Sequence, residues 1–406
     1  MNSSNSSIKV PFFRVAISEE EIAEVADSLR SGWLTTGPKV KRFETEFAEV
    51  VGAKYAVALN SCTAALHLAL DAIGLTRGDI VLVPALTFAA TAEVVRYFDA
   101  TPIFVDCDET LNISTKALEE TLSNLSAGAS PSIGKVKAII PMHYGGFTCD
   151  MANIARLANA YGITLIEDSA HAFPAAYRAT AAQPWVQAGH LSLVGCYSFY
   201  ANKCITTGEG GMAVTDDEKI ADRMRLMSLH GMNRDAWNRF TAQGSWFYEI
   251  VAPGYKYNLT DMAAALGLHQ LRKAETLRQV RESIAGQYNA AFGRLASLEI
   301  PPSDPITRRH SWHLYCLRLN LDQLTIGRDR FIERLKDLGV ICSVHWYPLH
   351  LNPYYREKFA TGPGMFPESE RQWPRLISLP LFPSMTADEI AHVIHAVETV
   401  ARESAK

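Results

Sequence analysis

Short apolar segments alternate with helical patterns along the first half of the chain. Five segments are rich in Val, Ile and Leu and end in a polar residue or a proline, as strands buried on both faces of a sheet do. They span residues 55–60, 79–84, 101–106, 136–141 and 163–168. Between them, apolar residues recur at helical spacing, for example in 62–74 and 151–162. This alternation predicts an α/β fold with a mainly parallel central sheet and helices on both of its faces.

A separate helix is predicted before the first strand, from Ser18 to Leu29. Ser18 and Glu21 form a capping-box pattern at its start, and apolar residues then recur on one face. Gly32 follows the last apolar position and is expected to end the helix. The polar segment 121–135, between two of the predicted strands, is expected to be a surface loop.

The pattern changes after Gly254. A long helical stretch covers 261–292, and alternating segments at 313–320 and 340–346 are expected to be strands. These elements indicate a smaller C-terminal α+β domain. We therefore expect an N-terminal tail over 1–17, a large α/β domain over 18–260, and a linking helix with the small domain over 261–406.

The composition excludes several classes of protein. Of the 406 residues, 48% are hydrophobic and 20% are charged, and the formal net charge is −4, so no general attraction to nucleic acid or to an anionic membrane is expected. The seven cysteines are dispersed without C-x-x-C spacing, which argues against disulfides and a zinc site and favours a reducing cytoplasm. The polar N-terminus has no signal-peptide pattern, and no apolar stretch is long enough to span a bilayer.

Ligands of parallel sheets collect at the carboxyl ends of the strands, so the polar residues there are the candidates for chemistry. Lys203 precedes the glycine-rich segment 206–211, and Ser198 lies five residues before it. A lone lysine is usually a solvated surface charge, but an enclosed lysine has a lowered pKa and becomes a nucleophile for carbonyl groups. Ser198 can offer a hydroxyl to an anion.

Asp168 ends the fifth predicted strand, and His171 follows it closely. A carboxylate in this position can keep a pyridine nitrogen protonated and so make the ring an electron sink. The alternative is a helix N-cap, which is a common role for aspartate. His171 can pack beside the same ring or simply fill space.

The turn at Ser61, Cys62 and Thr63 joins a predicted strand to a helix, so free backbone N–H groups and the helix dipole converge there on an anion such as phosphate. Neither G-x-x-x-x-G-K-[ST] nor G-x-G-x-x-G occurs, which argues against a nucleoside-triphosphate loop and a dinucleotide fold. Phe88 follows another strand end and can stack on a flat ligand, although a core position is equally compatible with the pattern.

Together these motifs resemble the pyridoxal-phosphate enzymes of fold type I, and specifically the DegT/DnrJ/EryC1/StrS family of nucleotide-sugar aminotransferases. The resemblance covers nearly the whole chain. It is carried by 31–70, 83–95, 139–146, 166–173, 198–211, 253–271 and 311–319. It implies a fold-type I transferase with pyridoxal phosphate as its cofactor.

The resemblance also implies roles for individual residues. Lys203 would hold the cofactor as a Schiff base and later act as acid and base, and Asp168 would pair with the ring nitrogen. Phe88 would stack on the ring, and His171 would lie beside it. The phosphate would be bound by the Ser61–Thr63 turn and Ser198, although Cys62 departs from the smaller residues common there. Asn258 would reach the phosphate of the neighbouring subunit, which implies a homodimer with shared active sites.

The implied reaction moves an amino group from L-glutamate, which leaves as 2-oxoglutarate, to a keto sugar linked to a nucleoside diphosphate. Lysine at 203 favours transamination, since related dehydratases have histidine there. Trp33, Thr35, His345 and Tyr347 lie where relatives bind sugar and nucleotide, although His345 can equally be a buried structural residue.

The pattern of GWLTTGP, PMHYGG, GYKYNLTD and HSWHLY is most similar to the C4-aminating branch, which includes the aminotransferase of the 4-amino-4-deoxy-L-arabinose pathway. The alternatives are amination at C3 or of a cyclitol, a cofactor-assisted dehydratase, and a regulatory protein without activity. The set of Lys203, Asp168 and Asn258 speaks against the last of these, because a protein without activity needs none of the three. The nucleotide cannot be identified from these residues.

Overall fold

The computed structural model describes residues 8–127, 134–233 and 248–406. Its strands are β1 (Tyr55–Leu59), β2 (Ile80–Pro84), β3 (Thr101–Val105), β4 (Val136–Ile139), β5 (Thr164–Asp168), β6 (Ala176–Tyr177), β7 (Val186–Gln187), β8 (Val194–Ser198), β9 (Gly211–Thr215), β10 (Leu298–Glu299), β11 (Arg308–Arg309), β12 (Tyr315–Leu319) and β13 (Leu376–Leu379). The five strands predicted in the first half of the chain are present as β1 to β5.

Seven strands form one twisted central sheet in the order β1-β9-β8-β5-β4-β2-β3. The strands β3, β2, β4, β5 and β8 are mutually parallel, whereas β9 runs antiparallel to both β8 and β1. The mainly parallel sheet is therefore confirmed. The carboxyl ends of β5 and β8 are neighbours, which brings Asp168 and Ser198 to the same edge.

The described residues also form α-helices and short 3-10 turns. The α-helices are α1 (Glu19–Ser31), α2 (Pro38–Val51), α3 (Cys62–Ala72), α4 (Ala89–Arg96), α5 (Thr115–Ser126), α6 (Met151–Tyr161), α7 (Glu218–Ser228), α8 (Asp261–Phe292), α9 (Arg328–Asp337), α10 (Pro353–Phe359), α11 (Pro367–Gln372) and α12 (Ala387–Glu403). Short 3-10 turns lie at Tyr144–Gly146, Leu321–Gln323, Leu349–Leu351 and Trp373–Arg375. The predicted capping box of α1 is present, and Gly32 closes this helix in the left-handed conformation.

Apolar side chains on the two faces of the sheet form separate cores. One core packs α3, α4 and α7 against the sheet, and another packs α5 and α6 against its other face. Residues such as Val81, Leu82 and Val83 in β2 are fully buried. Full burial of such a side chain contributes about 1.5–3 kcal/mol. The continuous apolar pattern of the strands is thus explained by burial on both sides.

A three-stranded antiparallel sheet, β10-β12-β13, packs with α8, α9 and α12 around a further core. The predicted strand at 313–320 is present as β12. The prediction of a strand at 340–346 was wrong, because only Val340 and Ser343 form isolated bridges, to Val10 and Ser378. The chain leaves the sheet after Ser343 and turns towards the site described below.

Two other expectations differ from the structure. Residues 121–126 belong to α5 and are not loop, because Leu118 and Leu122 bury one face of this helix. The rest of the expected loop, 128–133, lies outside the described residues. The segment that was expected to be an N-terminal tail is held by Val10, which is fully buried in the core of the smaller sheet; residues 1–7 lie outside the described part.

Within the described ranges, we find no helix whose length and apolar character would let it cross a membrane.

Candidate active site

A cavity of about 380 Å³ opens at the carboxyl edge of the central sheet. It brings together nine of the thirteen residues singled out from the sequence. These are Ser61, Cys62, Thr63, Phe88, Asp168, His171, Ser198, Lys203 and His345. They come from segments far apart in the chain, and the parallel strands carry most of them to one edge, as their order predicts.

Lys203 lies on the cavity wall, in the connection between β8 and β9. Burial among protein atoms lowers the pKa of its amine to about 8, although the nearby Cys62 and Asp168 favour the charged form. A substantial fraction of the amine is therefore neutral near neutral pH. The structure does not support the interpretation of Lys203 as a solvated surface charge.

Asp168 is buried at the end of β5, and its two carboxylate oxygens have different partners. Thr91 in α4 donates a hydrogen bond from Oγ1 to Oδ2 at 2.8 Å, and the backbone N–H of Ala170 donates to Oδ1 at 3.1 Å. Burial raises the pKa of this carboxyl, while these hydrogen bonds oppose the rise. No α-helix begins at Asp168, so the N-cap alternative was wrong.

The turn from β1 into α3 forms a cradle of backbone amides. Ser61 is the N-cap of α3 and accepts a hydrogen bond from the N–H of Ala64 at 3.0 Å. The first-turn amides of Cys62 and Thr63 have no carbonyl partner within the helix and are available to an anion. The cradle lies close to β9, because a Cβ at Gly211 would approach the carbonyl carbon of Ser61 to 2.3 Å. Only glycine fits at that position.

Aromatic rings and imidazoles form the other wall. Phe88 lines the cavity with 55% of its surface exposed, so the core alternative for this residue was wrong. His171 lies 4.3 Å from His313 and 4.9 Å from Trp346 between ring centroids. Burial lowers the pKa of His171 well below its ordinary value and that of His345 to about 4, so both rings are neutral. His345 also contacts Ser378 Oγ through Nδ1 at 2.7 Å.

Four of the predicted site residues lie outside the cavity wall. Trp33 and Thr35 are in the loop before α2, where the indole N–H of Trp33 donates to the carbonyl of Thr36 at 3.1 Å. Tyr347 is 44% exposed and packs against Trp373 at 5.4 Å. Asn258 donates from its amide to Thr36 Oγ1 at 2.7 Å.

Several residues of the cavity wall were missed from the sequence. His313, Trp346, Tyr200, Asn202 and Glu209 all line it. Tyr200, Asn202 and Glu209 flank Lys203 in sequence, and this proximity was a usable signal. His313 and Trp346 approach from the smaller sheet, and no local pattern indicates that contact.

The residues of the cavity fit pyridoxal phosphate by their chemistry. The amide cradle suits a dianionic phosphate, the Asp168 carboxylate suits a protonated pyridine nitrogen, and the Lys203 amine suits an aldehyde. The exposed ring of Phe88 offers a face for stacking. We conclude that one cavity contains a matching group for each reactive part of this cofactor.

The sequence matches that of known proteins over most of its length. The sequence model of the DegT/DnrJ/EryC1/StrS aminotransferase family matches residues 15–398. The spore coat polysaccharide biosynthesis protein SpsC of Bacillus subtilis is 44% identical over 395 residues, which are 97% of this chain and 97% of that protein. An uncharacterized protein of Methanocaldococcus jannaschii is 45% identical over 396 residues, 97% of this chain and 98% of that protein.

Solved structures of similar fold include a putative sugar aminotransferase and an aminotransferase of pseudoaminic acid biosynthesis. A putative sugar aminotransferase from Streptococcus pneumoniae, solved in PMP and PLP forms, has a TM-score of 0.86 and 32% identity. In its PMP form the match covers 98% of each chain. PseC of Helicobacter pylori, an aminotransferase of pseudoaminic acid biosynthesis, has a TM-score of 0.86 and 26% identity over 98% of this chain and 100% of that one. This protein therefore belongs to the DegT/DnrJ/EryC1/StrS family of pyridoxal-phosphate-dependent sugar aminotransferases.

Proposed function

We propose that the enzyme transfers the amino group of L-glutamate to C4 of a nucleotide-linked keto sugar, either a 4-keto-6-deoxy hexose or a 4-keto pentose. The observation that carries the proposal is the placement of the Lys203 amine and the Asp168 carboxylate on one wall of a cavity that also holds an amide cradle. This arrangement provides a reactive amine, a support for a pyridinium and an anion site within one enclosure.

The residues of the chain have separate tasks in this reaction. When bound, pyridoxal phosphate supplies an electron sink that weakens the bonds at the carbon carrying the amino group. Lys203 would hold the cofactor covalently at rest, and its freed amine would take a proton from one carbon and return it to another. Asp168, fixed by Thr91 and Ala170, would accept the hydrogen bond of the ring N–H. The Ser61–Thr63 turn and Ser198 would hold the phosphate.

The imidazoles and the indole that line the cavity support a sugar as the amino acceptor. Neutral imidazoles can donate and accept hydrogen bonds to hydroxyl groups, and the indole of Trp346 offers a flat apolar face beside them. His171 and His345 are held neutral by burial, as that task requires. We assign His345 to the sugar site, with Trp33, Thr35 and Tyr347 contacting sugar or nucleotide outside the cavity of a single chain.

The choice of a nucleotide-linked sugar and of C4 rests on similarity. The motifs at 32–38, 141–146, 254–261 and 310–315 are most similar to the C4-aminating branch. One relative is named for spore coat polysaccharide biosynthesis, and another is an aminotransferase of pseudoaminic acid biosynthesis. Amination at C3 of a keto sugar, or of a cyclitol, is the alternative within the same chemistry.

We further propose a homodimer in which Asn258 of each chain serves the active site of its partner. Asn258 does not line the cavity of its own chain, and its side chain contacts Thr36 in the loop before α2, which supports this assignment. A cytoplasmic location is proposed as well, because all seven cysteines are free thiols and such thiols persist in a reducing compartment.

A panel of acceptors tests the proposal. The enzyme is converted to its pyridoxamine form with L-glutamate, freed of donor, and mixed with UDP-, dTDP- and GDP-linked 4-keto and 3-keto sugars. We expect a 4-keto sugar to restore the absorbance of the pyridoxal form, with the new amine located at C4 by NMR. The Lys203→Ala variant, as the control, should not turn over. Restoration by 3-keto sugars or cyclitol ketones alone would show that the C4 assignment is wrong.

A further inference from the structure

The loop before α2 and the segment before α8 are joined by one buried carboxylate. Asp261 is the first residue of α8, yet its side chain reaches the start of α2. Oδ1 accepts hydrogen bonds from the N–H groups of Gly37 at 2.8 Å and Val40 at 2.9 Å, and Oδ2 accepts one from Lys39 at 3.1 Å. Asp261 therefore caps a helix to which it does not belong.

The sequence explains why α2 is capped by a residue of another helix. The N-cap position of α2 is Gly37, which has no side chain to accept the free amides of the first turn. A side chain cannot be added there, because a Cβ on Gly37 would lie 1.8 Å from Trp33 Nε1 and 2.7 Å from Asp261 Oδ2. A carboxylate at the positive end of a helix is also favoured by the helix dipole. The Asp261 side chain supplies the hydrogen-bond acceptor that Gly37 lacks.

Further hydrogen bonds tie the same two segments together. The backbone N–H of Asp261 donates to the carbonyl of Thr35 at 3.0 Å. Thr36 Oγ1 donates to the carbonyl of Leu259 and accepts from the amide of Asn258. Residues 32–40 and 256–261 are thus connected through both backbone and side chains, and they form one structural unit.

The unit also contacts the cofactor cradle. The N–H of Asn60 donates to the carbonyl of Tyr257 at 2.7 Å, and its side-chain amide donates to the carbonyl of Lys256 at 3.3 Å. Asn60 directly precedes Ser61, which caps α3 and shapes the amide cradle. A displacement of 256–258 therefore reaches the phosphate site through a single residue.

We infer that Asp261 is a positioning residue, which holds the Trp33 loop and the 256–260 segment as one unit against the cofactor cradle. It does not line the cavity, and it acts through Trp33 on one side and Asn60 on the other. The inference depends on the cofactor site and not on which sugar is used, so it can fail or hold independently of the proposed acceptor.

The test compares Asp261→Asn with Asp217→Asn in the holoenzyme. Asp217 is a matched control, because it caps α7 by accepting hydrogen bonds from Lys219 and Ile220 but does not contact the unit. For Asp261→Asn we expect faster amide hydrogen exchange in both 32–40 and 256–262, and about tenfold weaker binding of pyridoxal phosphate, since a hydrogen bond to a charged acceptor is lost. Asp217→Asn should speed exchange only in the first turn of α7 and leave cofactor binding within about twofold.

Faster exchange confined to 37–40, with unchanged cofactor binding, would overturn the inference, because it would make Asp261 an ordinary cap. If Asp261→Asn does not yield folded protein, Thr36→Val decides the question. This variant removes only one hydroxyl of the same unit and should give the same two-segment pattern at smaller amplitude. If the exchange profile of Thr36→Val is identical to that of wild type, the two segments do not form one structural unit and the inference is wrong.

Discussion

The titration of Lys203 gives a quantitative prediction. Burial lowers the pKa of this amine from its ordinary value of 10.5 to about 8. At pH 7, about one amine in eleven is then neutral, compared with about one in 3,000 for an ordinary lysine. The fraction of neutral amine that can act as a nucleophile is therefore about 300 times larger. The sign is fixed by the cause, since removal from water penalises the charged ammonium and lowers the pKa of a lysine.

The perturbation is Asp168→Asn in the apoenzyme. The Asp168 carboxylate favours the charged form of Lys203, so its loss should move the pKa of the amine further below about 8. Lysines are reductively methylated with ¹³C-formaldehyde, and each resonance is followed against pH by NMR. Lys203→Arg identifies the resonance, and exposed lysines that titrate at their ordinary pKa serve as internal references.

Two results would refute the reasoning. A midpoint for Lys203 near 10.5 in the wild-type chain would mean that its amine is as well solvated as a surface lysine. A rise of the midpoint in Asp168→Asn would mean that the carboxylate does not act on the amine in the way the electrostatics of the site require.

Three further changes test other parts of the site. Thr91→Val should lower kcat about tenfold, and an unchanged kcat would contradict this. The loss of the hydrogen bond from Thr91 raises the pKa of the Asp168 carboxyl further, so the carboxyl supports the pyridinium less well. Gly211→Ala should weaken cofactor binding measured by absorbance titration, since a Cβ there meets the backbone of Ser61, whereas Gly286→Ala in α8 has open space and should not. Asn258→Ala and Lys203→Ala chains, each inactive alone, should regain part of the activity when mixed, and failure to do so would argue against a shared site.

The central sheet could be predicted from the sequence for a physical reason. Strands buried on both faces need continuous apolar residues, and this requirement leaves a local pattern in β1 to β5. The same logic located Asp168, because polar residues that follow such strands must lie at one edge of the sheet. Lys203 could be recognised from its glycine-rich surroundings, where the approach of β9 to Ser61 admits no side chain at Gly211.

Other features depend on contacts between distant segments. His313 and Trp346 reach the cavity from the smaller part of the chain, and nothing in their local sequence records that approach. The alternating pattern at 340–346 suggested a strand, but Ser343 forms only an isolated bridge to Ser378, and His345 turns into the site. In α5 the error was the reverse, because part of a helix was expected to be a loop. The buried side chains of Leu118 and Leu122 stabilise this helix although the residues around them are polar.

The roles of Trp33, Thr35 and Asn258 came from the family resemblance and not from a local pattern. Their motifs pointed to ligand binding, and the resemblance implied that Asn258 reaches the phosphate of the neighbouring subunit. The hydrogen bond between Asn258 and Thr36 shows that the two motifs lie together. Their joint position outside the cavity lining supports the proposal that Asn258 serves a partner's site.

The most direct test of the account follows the amino group itself. Wild-type enzyme is incubated with ¹⁵N-labelled L-glutamate and the 4-keto sugar nucleotide selected from the panel, and the product is examined by NMR. We predict that the label appears at C4 of the sugar, that 2-oxoglutarate is released in equal amount, and that Lys203→Ala transfers none. Label that stays in glutamate, or an equal transfer by Lys203→Ala, would contradict the account.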